Sequence, residues 1–297
     1  MQRQNKLLLF TTPWIAYFLI FWLYPLAYSF YLSLTDFQLL RGSGTYVGLA
    51  NYTRLFSDPV FTKSLVNTFY FVFGTIPITT ILALILALFI AEKIPGHRIF
   101  QSAYFIPSIT AMVVIALIFY NLYSRGGYIH TLFRMAGLSP PQNGFLQSEK
   151  TALWAIMAMD IWVAIGYYVL IFLAGIKAIP TELFEAARID GAGFWKRSKS
   201  ITIPLLKSTF IFVIVLNTIR SFQIFIEIFV MTSGRPFNST LTSVYFIFDK
   251  GIGRGDIGYA SAAAYILFII ILIFSLAQFK LINIKKSYGS KGPEGYK

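Results

Sequence analysis

Cysteine is absent from the 297 residues, which excludes disulfides and thiolate metal sites. Histidine occurs only as His97 and His130, and there is no HExxH pattern, so no protein-held catalytic metal is expected. The dipeptide Gly-Lys never occurs, so no GxxxxGK[ST] phosphate loop is encoded. Charge is the most telling shortage. Asp, Glu, Lys and Arg make up 12% of the chain, against roughly 25% in soluble domains. With 57% hydrophobic residues and long uncharged runs, the composition is that of a membrane protein.

A helix needs about 20 mostly apolar residues to cross a bilayer. Six stretches meet that length: residues 7–31, 68–91, 100–122, 152–176, 205–231 and 260–279. The first follows Arg3 and Lys6 in the manner of a signal peptide, but its apolar run exceeds a signal's 7–15 residues and reads as an uncleaved helix. An all-α membrane protein with six transmembrane helices in a single domain, 1–297, is therefore expected.

The net charge of +13 would suggest nucleic acid in a soluble protein. Here its distribution follows topology. The termini and the loops on their side (1–10, 92–98, 177–207, 280–297) hold 15 Lys and Arg; the other three loops hold 9, with five acidic residues on each side. By the positive-inside rule both termini lie in the cytoplasm, and no nucleic-acid partner is implied. Pro25, Pro77 and Pro107 fall inside or near the ends of spans. There proline marks either a cavity wall or ordinary helix distortion.

The cytoplasmic stretch "EAARIDGAGFWKRSKSITIP" (185–204) is the most charged insert between two apolar spans. Pro180 suits a first helical turn, and Glu182 and Glu185 suit a helix N-terminus. Leu183, Ala186, Ala187 and Asp190 share one narrow face at i, i+3, i+4 and i+7. Gly191 is placed to end the helix in a left-handed conformation. A second short run, about 194–200, carries Lys196, Arg197 and Lys199. Local physics allows two readings: a docking surface, or a basic loop that only obeys the positive-inside rule.

A family resemblance decides between them. Glu185-Ala186-Ala187, three residues, Gly191, nine residues and Ile201-Thr202-Ile203-Pro204 resemble the EAA loop of ABC-importer permeases, with Ile203 where that pattern has Leu. The chain is similar over nearly its whole length to the sugar-importing, maltose-type branch, through "VGLANYTRLFSDPVF" (47–61), "SLVNTFYF" (64–71), "DIWVAIGYY" (160–168), "MTSGRP" (231–236) and "GYASA" (258–262). Arg235 departs from the glycine common at its position. The resemblance implies that 177–204 is a coupling loop between the fourth and fifth spans. Glu185, Ala186, Ala187, Asp190, Gly191, Ile201 and Pro204 would engage an ATP-hydrolysing subunit. It also implies a second permease of the same family, two ATPase subunits holding ATP and Mg, and an extracytoplasmic solute-binding protein. The expected place is a bacterial or archaeal inner membrane. No cofactor is expected in this chain, and the permease itself is not an enzyme.

Ionisable groups inside spans face a cavity or a partner. Asp160, Val163 and Tyr167 follow one helical face with Trp162 beside it; Asn217, Arg220 and Ser221 share another with Gln223 nearby. Aromatic rings with amide and carboxylate hydrogen-bonders suit a hydroxyl-rich ligand. The family resemblance implies that Asp160, Trp162, Tyr167, Asn217, Arg220, Ser221 and Gln223 line the substrate path. The alternative for Asp160 and Arg220 is an interhelical ion pair that stabilises the permease and touches no substrate. Glu227, near the outer end of its span, is expected to reach water. An uncompensated Arg220 would favour an anionic solute such as a uronate or a glycerol phosphate; a neutralised one, a neutral oligosaccharide.

Two rival readings are weaker. "GRGD" (253–256) matches the GxGD of intramembrane aspartyl proteases, but Asp256 lies in a polar loop. A stand-alone ion-coupled transporter could use Asp160, Arg220 and Glu227, but the halves show no repeat and the EAA spacing would go unexplained. The outward loops, 124–150 among them, are expected to receive the binding protein. The sequons at Asn51 and Asn238 are read as chance.

Overall fold

The computed structural model describes the backbone of residues 11–92 and 97–287 and the side chains of 11–92 and 102–280. The expected first span begins at residue 7, so its residues 7–10 lie outside the described part, as do the chain ends used in the charge count. The described residues are mostly helical and contain only isolated β-bridges. Among the described residues, five helices are long and apolar enough to cross a membrane, or six if a bent pair at 102–123 counts as one span. The principal elements are α1 (Thr11–Ser33), α2 (Pro59–Ala91), α3 (His97–Ile109), α4 (Met112–Tyr123), α5 (Ala152–Lys177), α6 (Thr181–Ile189), α7 (Phe194–Arg197), α8 (Lys207–Phe222), α9 (Ile226–Met231) and α10 (Ile257–Ser287).

Two of the expected spans are not single continuous helices. The third, 100–122, is two helices bent by 106°. Ala111 has φ −57° and ψ 125°, an extended backbone that ends α3 and begins α4. Pro107 sits within the last turn before that break. The fifth, 205–231, is interrupted at 223–225 between α8 and α9, where Phe225 leaves the helical region at φ −141°. By contrast, α2 runs unbroken for 33 residues with Pro77 inside it. The missing N–H there is tolerated as the rule for membrane helices allows.

The chain forms two compact units. One comprises the residues up to Thr62 with Phe246–Ile269. In it Asp58 begins α2, accepting hydrogen bonds from the Val60 amide at 2.8 Å and the Tyr259 hydroxyl at 2.8 Å, with the Lys250 ammonium 4.0 Å away. Burial alone would raise the Asp58 carboxyl; the Tyr259 hydroxyl, the Val60 and Phe61 amides and Lys250 outweigh it and hold it below the ordinary 3.8. Asp256 is taken up by Arg54 at 3.2 Å and by the Tyr259 amide at 3.4 Å.

The other unit comprises Lys63–Tyr245 with the residues from Ile270. Its centre is α5, buried over most of its length between two apolar clusters. Helices approach it closely where side chains are smallest. A Cβ on Gly166 would collide with the Tyr104 carbonyl, so α3 and α5 cross nearly backbone to backbone. This crossing brings Ser108 and Thr110 beside the polar residues of α5 and α8.

Candidate functional site

The residues singled out in the sequence fall at two places in this second unit. The first lies where α5 meets α8 and α9. Asp160 is 1% exposed on α5. The Arg220 guanidinium grips it with both ends, Nη2 to Oδ1 at 2.6 Å and Nη1 to Oδ2 at 3.2 Å. Glu227 adds a second carboxylate, its Oε1 3.8 Å from Arg220 Nη2. The expectation that Glu227 reaches water is wrong: it is buried. The chain break at 223–225 starts a new helix, and Glu227 in its first turn comes up to the guanidinium. Charges removed from water must be paired, and the fork of arginine serves two carboxylates at once.

Two clefts open beside this cluster. The larger, about 610 Å³, lies between Ser108, Thr110, Tyr167, Tyr168, Arg220 and Gln223. The smaller, about 390 Å³, is bordered by Asp160, Arg220, Ser221, Gln223 and Glu227. Asp160, Tyr167, Arg220, Ser221 and Gln223 are thus brought together around the clefts. Trp162 and Asn217 border neither. The Trp162 ring packs on Phe119 at 5.4 Å, and Asn217 is buried, its side-chain oxygen accepting from the Ser221 hydroxyl at 3.3 Å. Hydroxyl, amide, phenol and one already paired cation around such hollows can hydrogen-bond a polyhydroxylated molecule in several registers. Ser108 and Thr110 were missed in the sequence. They reach the cleft through the α3–α4 bend, which no periodicity signals.

The second place is the loop between α5 and α8. Pro180 precedes α6, and α6 ends at Asp190, whose φ of −71° and ψ of 4° close the last turn. Gly191 has φ +69°, the left-handed conformation glycine adopts without a Cβ penalty, and nothing lies within 4 Å of where a Cβ would stand. No residue of α6 is buried against the chain. Glu185 and Ala186 are exposed, Ala187 is half-buried, and Ile189 on the same helix is 87% exposed. Ile201 is half-buried in the wide turn Ser198–Thr202, and Pro204 lies in the short helix that follows. Trp195 on α7 is also exposed. Sequence reasoning did not single out Ile189 and Trp195, although two large apolar residues within a charged stretch are the signal of a covered surface.

Residues 43–283 match the family described as binding-protein-dependent transport system inner membrane component. The arabinooligosaccharides transport system permease protein AraP of Bacillus subtilis (strain 168) is 35% identical over 95% of this chain and 90% of its own. The trehalose/maltose transport system permease protein MalF of Thermococcus litoralis is 32% identical over 96% of both chains. Among solved structures, a bacterial ABC transporter involved in the import of the acidic polysaccharide alginate superposes with a TM-score of 0.80. That match covers 95% of this chain and 96% of the other at 22% identity, and it shows a shared fold. The chain belongs to the family of binding-protein-dependent transport system inner membrane components.

Proposed function

We propose that this chain is one permease of an oligosaccharide importer whose transport is driven by separate ATPase subunits through residues 181–200. The observation that carries the reading is α6. It is a helix with the EAA spacing, none of whose residues is buried against its own chain, closed by a left-handed Gly191. A bare helix showing Ala186, Ile189 and, beyond the turn, Trp195 suits the cleft of another protein. The whole of 1–297 acts as one permease domain with six spans, the bent α3–α4 pair counting as the third, and both termini cytoplasmic. A homologous permease completes the translocation path, which opens alternately to either side. The outward loop 124–150 faces the solute-binding protein.

The substrate is a neutral oligosaccharide. Arg220 is already met by two carboxylates, which leaves no unpaired cation among the described residues lining the two clefts for an acidic sugar such as the alginate carried by the structural relative. Asp160, Tyr167, Arg220, Ser221 and Gln223 line the path, with Trp162 and Asn217 supporting its walls.

The test is sugar-stimulated ATP hydrolysis by the reconstituted complex, comparing wild type with Gly191→Asp plus Glu185→Lys after confirming insertion. Loss of the ATPase subunits or collapse of stimulated hydrolysis is expected. Unchanged uptake and hydrolysis would make the loop a plain basic connector.

A further inference from the structure

The loop at 177–204 is joined covalently to α5 and to α8, but its firmest side-chain fastening runs elsewhere. Arg197, at the end of α7, crosses 105 positions of sequence to Glu92, just past the end of α2. Its Nη2 donates to Glu92 Oε1 at 2.8 Å and to Oε2 at 2.9 Å. Its Nη1 donates to the carbonyl of Ala192 at 2.9 Å, in the turn that Gly191 opens. The Arg197 side chain is 11% exposed, unusual for an arginine in a loop of this charge. One turn back along α2, Phe89 stacks on Phe194 at 5.4 Å and meets the edge of Trp195 at 6.1 Å. A single guanidinium therefore ties together the turn after α6, the helix α7 and the end of α2.

The other end of α2 is fastened too. Asn67, buried, donates from Nδ2 to the carbonyls of Asn238 at 2.8 Å and Leu241 at 2.9 Å. Thr68 bonds the Ser243 hydroxyl at 3.0 Å and accepts from the Ser243 amide at 2.9 Å. From Asn67 to Glu92 the helix rises about 38 Å at 1.5 Å per residue, the thickness of a bilayer with part of its headgroups.

We infer that Arg197 and Glu92 are positioning residues that make α2 a mechanical link between the coupling loop and the 238–243 loop on the opposite side of the membrane. The inference rests on the coupling role proposed for 181–200. Coupling between distant sites is carried by rigid elements fastened at both ends, and an ion pair seated among aromatic rings is such a fastening. The pair carries signal rather than substrate: a loaded binding protein pressing on the outer loops shifts α2, and α2 shifts the turn at 191–192.

The test uses the assembled complex in proteoliposomes, with and without sugar-loaded binding protein. In Glu92→Gln, the ATPase subunits should stay bound and basal hydrolysis should persist, while stimulation by the binding protein falls about tenfold, a typical coupling energy; in Arg197→Gln the ratio of stimulated to basal hydrolysis should fall alike. The exchanged pair, Glu92→Arg with Arg197→Glu, should recover most of the stimulation. Basal and stimulated hydrolysis falling together, full stimulation in both single variants, or no recovery in the exchange would each overturn the inference. The Gly191→Asp plus Glu185→Lys variant separates the two failures. If it uncouples the complex and the Glu92 and Arg197 variants do not, the loop is the coupling element and only the link through α2 is wrong.

Discussion

The charges of the α5–α8–α9 cluster and those of the α6–α7 loop solve opposite problems. In the cluster, Asp160, Arg220 and Glu227 satisfy one another inside the chain, and Asp160 has almost no exposed surface. In the loop, Glu182, Glu185 and Arg188 are exposed, and Ile189 and Trp195 are left uncovered beside them. A buried charge must be paired where it stands, because lipid and protein offer no water to do it. A surface made for another protein leaves its apolar residues free until that protein arrives. With the coupling role proposed for 181–200, the difference separates what this chain completes alone from what it would complete in assembly.

The comparison breaks first, and most severely, at Arg220. Arg220→Leu leaves two buried carboxylates without a counter-ion. Removing one partner of a buried pair costs about 3–5 kcal/mol. With the Arg220 side chain 35% exposed, about 3 kcal/mol is expected. The thermal midpoint of the detergent-solubilised complex should fall, and Asp160→Asn combined with Arg220→Gln should fall less than Arg220→Leu. Equal losses would mean that the charges are not what holds the cluster.

Gly191→Val sharpens the loop side. The substitution meets no neighbour but forces a branched side chain into a left-handed conformation, about 1–2 kcal/mol of local strain. Stimulated hydrolysis should drop in Gly191→Val and largely survive in Gly191→Asn, since asparagine tolerates that conformation. A steric role for Gly191 would make the two variants alike.

Asp58 gives a smaller effect with a defined sign. Its folded carboxyl lies below the ordinary 3.8, so its contribution is complete above that value and is lost as pH falls through the folded one. Stability measured from about pH 6 to about pH 3 should decline more steeply in wild type than in Asp58→Asn. Parallel declines would show that Asp58 carries no linkage.

The smallest effect on the fold is expected at Trp195. Trp195→Ala should change the melting of the isolated permease by no more than about 0.5 kcal/mol, as exposed positions do. It should still weaken retention of the ATPase subunits in pull-down. Loss of fold stability instead would move Trp195 from the assembly surface to the Phe89–Phe194 packing.

Much of this was legible from residue order. Long apolar runs report helices directly, because a bilayer demands length and little else. Gly191 was legible as a helix end, because only a few residues accept its φ. The bend at 110–111 was not: Pro107 sits inside a helix that continues past it, and the break comes at Ala111, a residue with no turn preference. Glu227 misled for a related reason. The break at Gln223-Ile224-Phe225 contains neither glycine nor proline, so a carboxylate in the outer half of an apolar run looked like a surface group. The Arg197–Glu92 pair was out of reach of pattern reading, which sees neighbours along a helix and not partners 105 positions apart. A lone acid ending one span opposite a basic insert was its only trace.

The first helix carries a consequence for biogenesis. The core of α1 has no buried residue within its own chain, and it is the least apolar of the five helices able to cross. Its entry into the bilayer therefore draws little on its own chain, which touches it through Tyr265 of α10 at Leu26, Ser29 and Phe30, while α5 exchanges lipid for protein over most of its length. Because α10 is made after α1, that contact does not yet exist when α1 enters the bilayer.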